Sequence, residues 1–222
     1  MKKSHGFFEG LFGKEEIKKI NTDVNEFINK EKILSNYYSN VDQFIPDVKK
    51  LLNSKLLFLV SSLLDSEENH LCNIELHIQT PNSLPIPPHQ DNFYHCIGFN
   101  QGIKICVPMD KLSNLNGGLM FLDIPYDYPI LDHIASNMNN FSSIIPDYIF
   151  KSLEINYKSY NYEIGDASYH FLNSIHFSQG NKTKENASFL VFRFESNEAN
   201  QDLVALRKYE NCYKEHKSKL FS

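Results

Sequence analysis

The sequence predicts a mainly β fold with helices (α+β), a sandwich or barrel buttressed by helices from the N-terminal part of the chain. Three observations predict it. Apolar residues near the start recur at helical spacing, the period drops to two at about residue 71, and short strand-like runs separated by turn signals follow. A parallel α/β sheet would instead alternate strands with helices along the chain.

Ile17, Ile20, Val24, Phe27 and Ile28 carry charged residues between them, the pattern of an amphipathic helix lying on a core. A second helical stretch is expected through Phe44, Ile45, Val48, Leu51 and Leu52, with Pro46 tolerated at its opening turn. Ile74, Leu76 and Ile78 then alternate with Glu75, His77 and Gln79, so one face of a strand is apolar and the other polar. Further strand-like runs are Ile103 to Val107, Leu119 to Ile124, Ile155 to Tyr162, Ala167 to Ile175 and Phe189 to Phe194. Asn116-Gly117-Gly118 and Gly165-Asp166 supply turns between them. Residues 126–146 fit neither period, and a connection this long in a compact domain reads as a lid or binding loop. The expected organisation is one domain over 1–222: a mostly helical buttress over 1–70, a β core over 71–200 and a helical C-terminal tail over 201–222.

Composition narrows the function. A net charge of -5 with no block of one sign leaves no electrostatic footprint for nucleic acid. The longest apolar stretch, Leu56 to Val60 followed by serines and Leu63-Leu64, is far below the roughly 20 residues of a membrane span. MKKSHGFFEGLFGKEE lacks the apolar segment of a secretory signal, so a cytoplasmic protein acting on a small molecule is expected. Cys72, Cys96, Cys106 and Cys212 form no C-x-x-C pair and read as reduced structural thiols. No feature of the pattern specifies an oligomeric state.

The stretch PPHQDNFYH, residues 87–95, places a histidine and an aspartate two apart. In an extended strand such residues share a face, so His89 and Asp91 can aim an imidazole and a carboxylate at one ion. A second histidine from a neighbouring strand would complete the two-histidine, one-carboxylate set of non-haem iron(II) sites, which leaves the opposite positions open. The remaining histidines are His70, His77, His95, His133, His170, His176 and His216, besides His5 near the start. His216, in a charged tail, and His133, in the irregular segment, are poor placements for a rigid ligand, and spacing does not separate His170 from His176.

PPHQDNFYH, the NGGL of residues 116–119 and GDASYHFLNSIHFSQGNKT of residues 165–183 together resemble the phytanoyl-CoA dioxygenase family of iron(II)/2-oxoglutarate oxygenases. In that family a Gly-Asp turn precedes the distal iron histidine, followed by a serine and an asparagine; here Gly165-Asp166 leads to His176, Ser178 and Asn181 at the family's offsets. The resemblance implies a double-stranded β-helix (a jelly-roll or cupin-like core) with the helices packed on one sheet, and His89, Asp91 and His176 as iron ligands and catalytic centre. It implies Fe(II), 2-oxoglutarate and O2 as reaction partners and hydroxylation of a small or medium metabolite. The presence of Asp91 argues against a halogenase, in which chloride replaces that carboxylate. Asn92, Phe93, Tyr94 and His95 would line the substrate pocket, and Gln90 would point away from the ligands. Asn173 and Ser178 are candidates to orient the site.

The resemblance breaks at one charge. The family carries an arginine 11 residues after the distal histidine, where it pairs with the far carboxylate of 2-oxoglutarate; this chain has Ala187 there. Arg193 lies six residues further along, roughly 20 Å away in an extended strand. Lys104, Arg193 brought nearer by a bulge, or Lys182 and Lys184 are the cations that could substitute, with Ser178 beside them as a cosubstrate contact. The alternatives are an iron oxygenase with a different cosubstrate, or a cupin-like metal- or metabolite-binding protein without 2-oxoglutarate turnover.

Overall fold

The structure is a computed structural model that describes residues 2–31, 36–139 and 141–220. The chain opens with β1 (His5–Phe8), α1 (Lys14–Glu31) and β2 (Tyr37–Ser39), then α2 (Ser54–Leu64) and the long strand β3 (Asn69–Gln79). β4 (Ile86–His89) leads through one helical turn, α3 (Asn92–His95), into β5 (Gly102–Pro108). Next come β6 (Met120–Leu122), the hairpin of β7 (Ile134–Met138) and β8 (Phe141–Ile144), α4 (Asp147–Ser152) and β9 (Tyr157–Ser159). β10 (Ala167–Phe171), β11 (His176–Ser178), β12 (Ala187–Ser196) and α5 (Leu203–Leu220) complete the described chain.

Six antiparallel strands form a large sheet in the order β1-β10-β5-β12-β3-β2, and four form a smaller sheet, β4-β11-β6-β9. From β3 to β6, and again from β9 to β12, successive strands step between the two sheets. That winding is the double-stranded β-helix, a jelly roll with an interior between its sheets.

Strand alternation decides what each face of the large sheet meets. Ile74, Leu76 and Ile78 of β3 and Ile103, Ile105 and Val107 of β5 pack in one core with Ile17, Ile20 and Val24 of α1 and Leu56 and Val60 of α2. Each such side chain, fully withdrawn from water, contributes about 1.5–3 kcal/mol. Glu75, His77 and Gln79 of β3 and Lys104 of β5 project from the opposite face, into the interior. α1 is further supported by Glu15 and Glu16 in its first turn and Lys30 in its last, complementing the helix dipole.

One local expectation is corrected and two gain detail. The stretch expected as a second helix forms two 3-10 segments, Val41–Gln43 and Pro46–Leu51, because Ile45, Val48 and Leu51 recur every three residues, the 3-10 repeat. The α-helix lies just beyond, where the Asn53 side chain accepts from Leu56 N at 3.0 Å and caps α2. Residues 126–146 contain the β7–β8 hairpin; its register shifts between Ala135 and Met138, which breaks the alternation a strand would show. The 1–70 segment supplies two edge strands as well as helices, β1 and β2 being too short for a periodic signal.

Candidate metal centre

β4 and β11 are antiparallel neighbours, and their register sets His89 directly opposite His176, ring centroids 4.2 Å apart. Asp91 is not on the strand as expected: β4 ends at His89, and Asp91 has helical angles (φ -58, ψ -35) at the start of α3. The helical turn still delivers its carboxylate. Asp91 Oδ1 is 3.6 Å from His89 Nε2 and 3.9 Å from His176 Nε2, and all three residues are buried.

The histidine tautomers follow from the backbone. His89 Nδ1 meets the Pro87 carbonyl at 2.9 Å and His176 Nδ1 meets the Ser174 carbonyl at 3.1 Å. A ring nitrogen can only donate to a carbonyl, so each Nε2 is left as a lone pair. Two lone-pair nitrogens and a carboxylate oxygen therefore converge at separations too long for hydrogen bonds, with ligand atoms all within 4.8 Å of one another. Three electron-rich atoms facing one point repel unless a cation lies between them. A divalent ion of the iron(II) kind fits that donor set, and three protein ligands leave coordination positions for small molecules.

The other carboxylate oxygen is held by a different set. Asp91 Oδ2 lies 3.2 Å from Lys104 Nζ and 3.3 Å from His170 Nε2, and the Tyr94 hydroxyl donates to Oδ1. Burial opposes ionisation of Asp91, but the Lys104 ammonium outweighs it, with His170 adding a hydrogen bond, and the carboxyl is held well below the usual range. Burial and the neighbouring His89 push His176 well below an ordinary histidine, so it stays neutral. Lys104 also lies 3.7 Å from Glu75, whose carboxylate accepts from Asn73 at 3.0 Å and lies 3.0 Å from His77 Nε2. Burial raises the Glu75 carboxyl, and Lys104 and His77 bring it below the ordinary value.

The run from Ala167 to Ile175 that left His170 and His176 inseparable is broken by a turn after Phe171, closed by Ser174 N donating to the Phe171 carbonyl. His170 thus belongs to the large sheet and His176 to the small one. Their rings meet at 4.5 Å, but His170 faces the outer oxygen of Asp91. Gln90 points away from the ligands as expected: its side chain donates to Asn173 O at 2.7 Å and Pro129 O at 3.0 Å and accepts from Leu131 N at 2.8 Å.

The three residues open onto a cavity of about 870 Å³ between the sheets. Of the expected pocket residues, Tyr94 and His95 line it. Asn92 and Phe93 do not: the helical turn rotates Asn92 onto Ile97 O and Asn173 Oδ1, and Phe93 stacks on His133 at 4.2 Å. Of the expected cosubstrate residues, Lys104 lines the cavity and is its only lysine or arginine among the described residues. Ser178 instead donates to Gly117 O and accepts from Gly180 N, shaping a loop with the buried Asn181, whose amide donates to Gln79 O and Glu185 O. Arg193 shares the inward parity of Phe189 and Val191, but its Nη1 contacts His95 Nδ1 at 2.7 Å and Glu195 at 3.0 Å. A bulge exists near it, yet that bulge lies in β3 and does not carry Arg193 toward the level of Ala187, which is buried opposite Gln79. Lys182 bonds Gln179 at the surface, and neither it nor Lys184 lines the cavity.

Sequence reasoning missed Glu75, His77 and Gln79 as cavity residues, along with Tyr209 of α5 and the hairpin residues Asn137, Met138 and Phe141. The signal for the first three was present as the polar face of β3, and two-sided burial is what turns such a face inward.

No family model matches the chain, and no curated protein matches it. Solved structures do. EvdO2 from Micromonospora carbonacea var. aurantiaca, complexed with 2-oxoglutarate, superposes with a TM-score of 0.76 at 16% identity, covering 90% of this chain and 89% of that one. The non-heme alpha ketoglutarate dependent epimerase SnoN from nogalamycin biosynthesis gives 0.70 at 14% identity, covering 90% and 79%. EctD from S. alaskensis, with 2-oxoglutarate and 5-hydroxyectoine, gives 0.70 at 13% identity, covering 88% and 73%. The likeness establishes the fold.

Proposed function

We propose that this chain is a mononuclear iron(II) oxygenase that uses 2-oxoglutarate and dioxygen to hydroxylate an unactivated C–H bond in a small or medium metabolite. The observation that carries this reading is the convergence of His89 Nε2, His176 Nε2 and Asp91 Oδ1 at the wall of a cavity, with both histidine tautomers fixed by main-chain carbonyls. The motif resemblance to the phytanoyl-CoA dioxygenase family and the fold shared with 2-oxoglutarate-binding proteins support it. Hydroxylation is the reading for a chain that keeps Asp91, although an epimerase and a carbocyclase share the fold.

Iron bound by His89, Asp91 and His176 would supply one-electron chemistry on dioxygen, with the 2-oxoacid as electron source. The chain's own residues have separable tasks. Main-chain carbonyls and Lys104 with His170 orient the ligands from behind. Phe141, edge-on to His89 at 5.1 Å, gives the cavity an apolar wall on the hairpin side of the ligands. Lys104 is the cation available to the far carboxylate of the 2-oxoacid, a point charge in place of the family's arginine fork. Tyr94 and His95 stand where a substrate would be positioned.

A second reading is favoured by two observations: Ala187 stands at the arginine position, and Lys104 is already flanked by Asp91 and Glu75. On it, the cosubstrate lacks a far carboxylate, or the cavity binds a metal or metabolite without oxygen chemistry. Anaerobic titration with iron(II) and 2-oxoglutarate separates the two. A saturable visible charge-transfer band is expected, with Lys104→Met raising the half-saturating 2-oxoglutarate concentration by about two decades or more. Retained iron binding without the band would overturn 2-oxoglutarate as cosubstrate.

A further inference from the structure

A second group of ligand-type side chains lies outside this cavity, at the end of the large sheet where β3 begins and β12 finishes. Arg193 pairs with Asn73 and Phe194 with Leu71, so Cys72 is an extra residue with no partner across the ladder. The slip has a chemical effect. In an unbroken strand His70 would share the face of Ile74, beneath the helices; after the bulge it stands directly opposite Glu195 on the other face. His70, Cys72 and Glu195 then offer an imidazole, a thiol and a carboxylate whose ligand atoms all lie within 4.8 Å of one another.

The groups around this cluster are arranged as supports. Asn197 Oδ1 meets His70 Nδ1 at 3.0 Å, which fixes the ring and leaves its lone pair on Nε2. Arg193 Nη1 holds Glu195 Oε1 at 3.0 Å, leaving the second carboxylate oxygen to another partner. His70 is exposed while Cys72 and Glu195 are half-buried, so the cluster is closed on the protein side and open to water on the other.

We propose that His70, Cys72 and Glu195 form a second metal site, distinct from the His89–Asp91–His176 centre, that takes a zinc-class divalent ion with water in its fourth position. One soft thiolate with one imidazole and one carboxylate suits zinc better than the oxygen-preferring calcium or magnesium, and three ligands with an open side match its tetrahedral preference. The thiolate supplies one negative charge to the dication, and Glu195 adds a carboxylate whose charge is shared with Arg193. In the metal-free protein burial pushes the Cys72 thiol up to about 12, so loading the site releases the thiol proton to solvent.

Cobalt(II) is the probe, because a cobalt–thiolate bond gives a near-ultraviolet charge-transfer band that the sulfur-free His89–Asp91–His176 centre cannot produce. The full chain titrated with cobalt(II) should develop this band, and zinc(II) should bleach it. Cys72→Ser should abolish it, and His176→Ala should leave it in place. His70→Ala, at an exposed position that folding tolerates, should weaken cobalt binding at least tenfold and carries the test if Cys72→Ser does not fold. No band at cobalt concentrations that saturate the ferrous centre, or a band that survives in folded Cys72→Ser, would overturn the proposal.

Discussion

Lys104 Nζ lies 3.2 Å from Asp91 and 3.7 Å from Glu75, so a single buried ammonium joins a carboxylate of the candidate metal centre to one on β3, two strands from its own β5 in the large sheet. Removing one partner of a buried ionic group leaves uncompensated charge and costs about 3–5 kcal/mol. Lys104→Met should lower the unfolding free energy by that order in a urea titration. Iron(II), by neutralising Asp91, should restore part of it; a loss that iron does not touch would separate Lys104 from the centre.

The geometry assigns different weights to the two histidines that the sequence left equivalent. His176→Ala should abolish stoichiometric iron(II) binding in equilibrium dialysis. His170→Ala removes only a contact to the outer oxygen of Asp91, so iron should still bind, weakened by about 10- to 100-fold. The reverse result would exchange their roles.

Gln90 is fully buried and satisfies three main-chain groups, Pro129 O, Asn173 O and Leu131 N. Gln90→Leu should therefore cost about 3 kcal/mol or more, since each orphaned buried group costs about 1–3 kcal/mol. Because Gln90 separates His89 from Asp91 in the chain, the same variant should weaken iron binding at least tenfold, read by dialysis at a temperature where the fold persists.

Burial holds His5 and His133 neutral, each pushed down to about 4. Their folded values lie below the unfolded value, so the unfolded chain binds more protons in between. The associated stability is complete above pH about 6.5 and is lost as pH falls toward 4. These two groups give a slope of about 2.4 kcal/mol per pH unit near pH 5, to which His95, pushed down to about 3 mainly by burial, and His176 add in the same direction. Urea midpoints measured across that range should fall with pH, and His5→Gln should lower the slope by about 1.2 kcal/mol per pH unit.

The legible part of this molecule was what period and motif report directly. α1, the alternation of β3 and the positions of β5 and β12 follow from patterns that burial reinforces. His89, Asp91 and His176 were named from a motif, but the premise for Asp91 was wrong: a helical turn after β4 brings its carboxylate to the point that strand alternation was expected to reach. Asn92 and Phe93 were assigned to the pocket because they follow the metal pair in the chain, and the same turn carries them out of it. Glu75 was hidden for another reason, since a polar strand face reads the same whether it meets water or a cavity.

The position of β12 bears on how the chain can be made. It is the last strand in sequence, yet it lies in the middle of the large sheet, between β5 and β3. As the polypeptide leaves the ribosome, those two strands must wait with unsatisfied edges until the final strand slots between them, and β1 must meanwhile hold itself ready for β10. Nascent chains halted before about residue 196 should thus be open to proteases and chaperones along β3 and β5, and those two strands should acquire resistance together once β12 emerges.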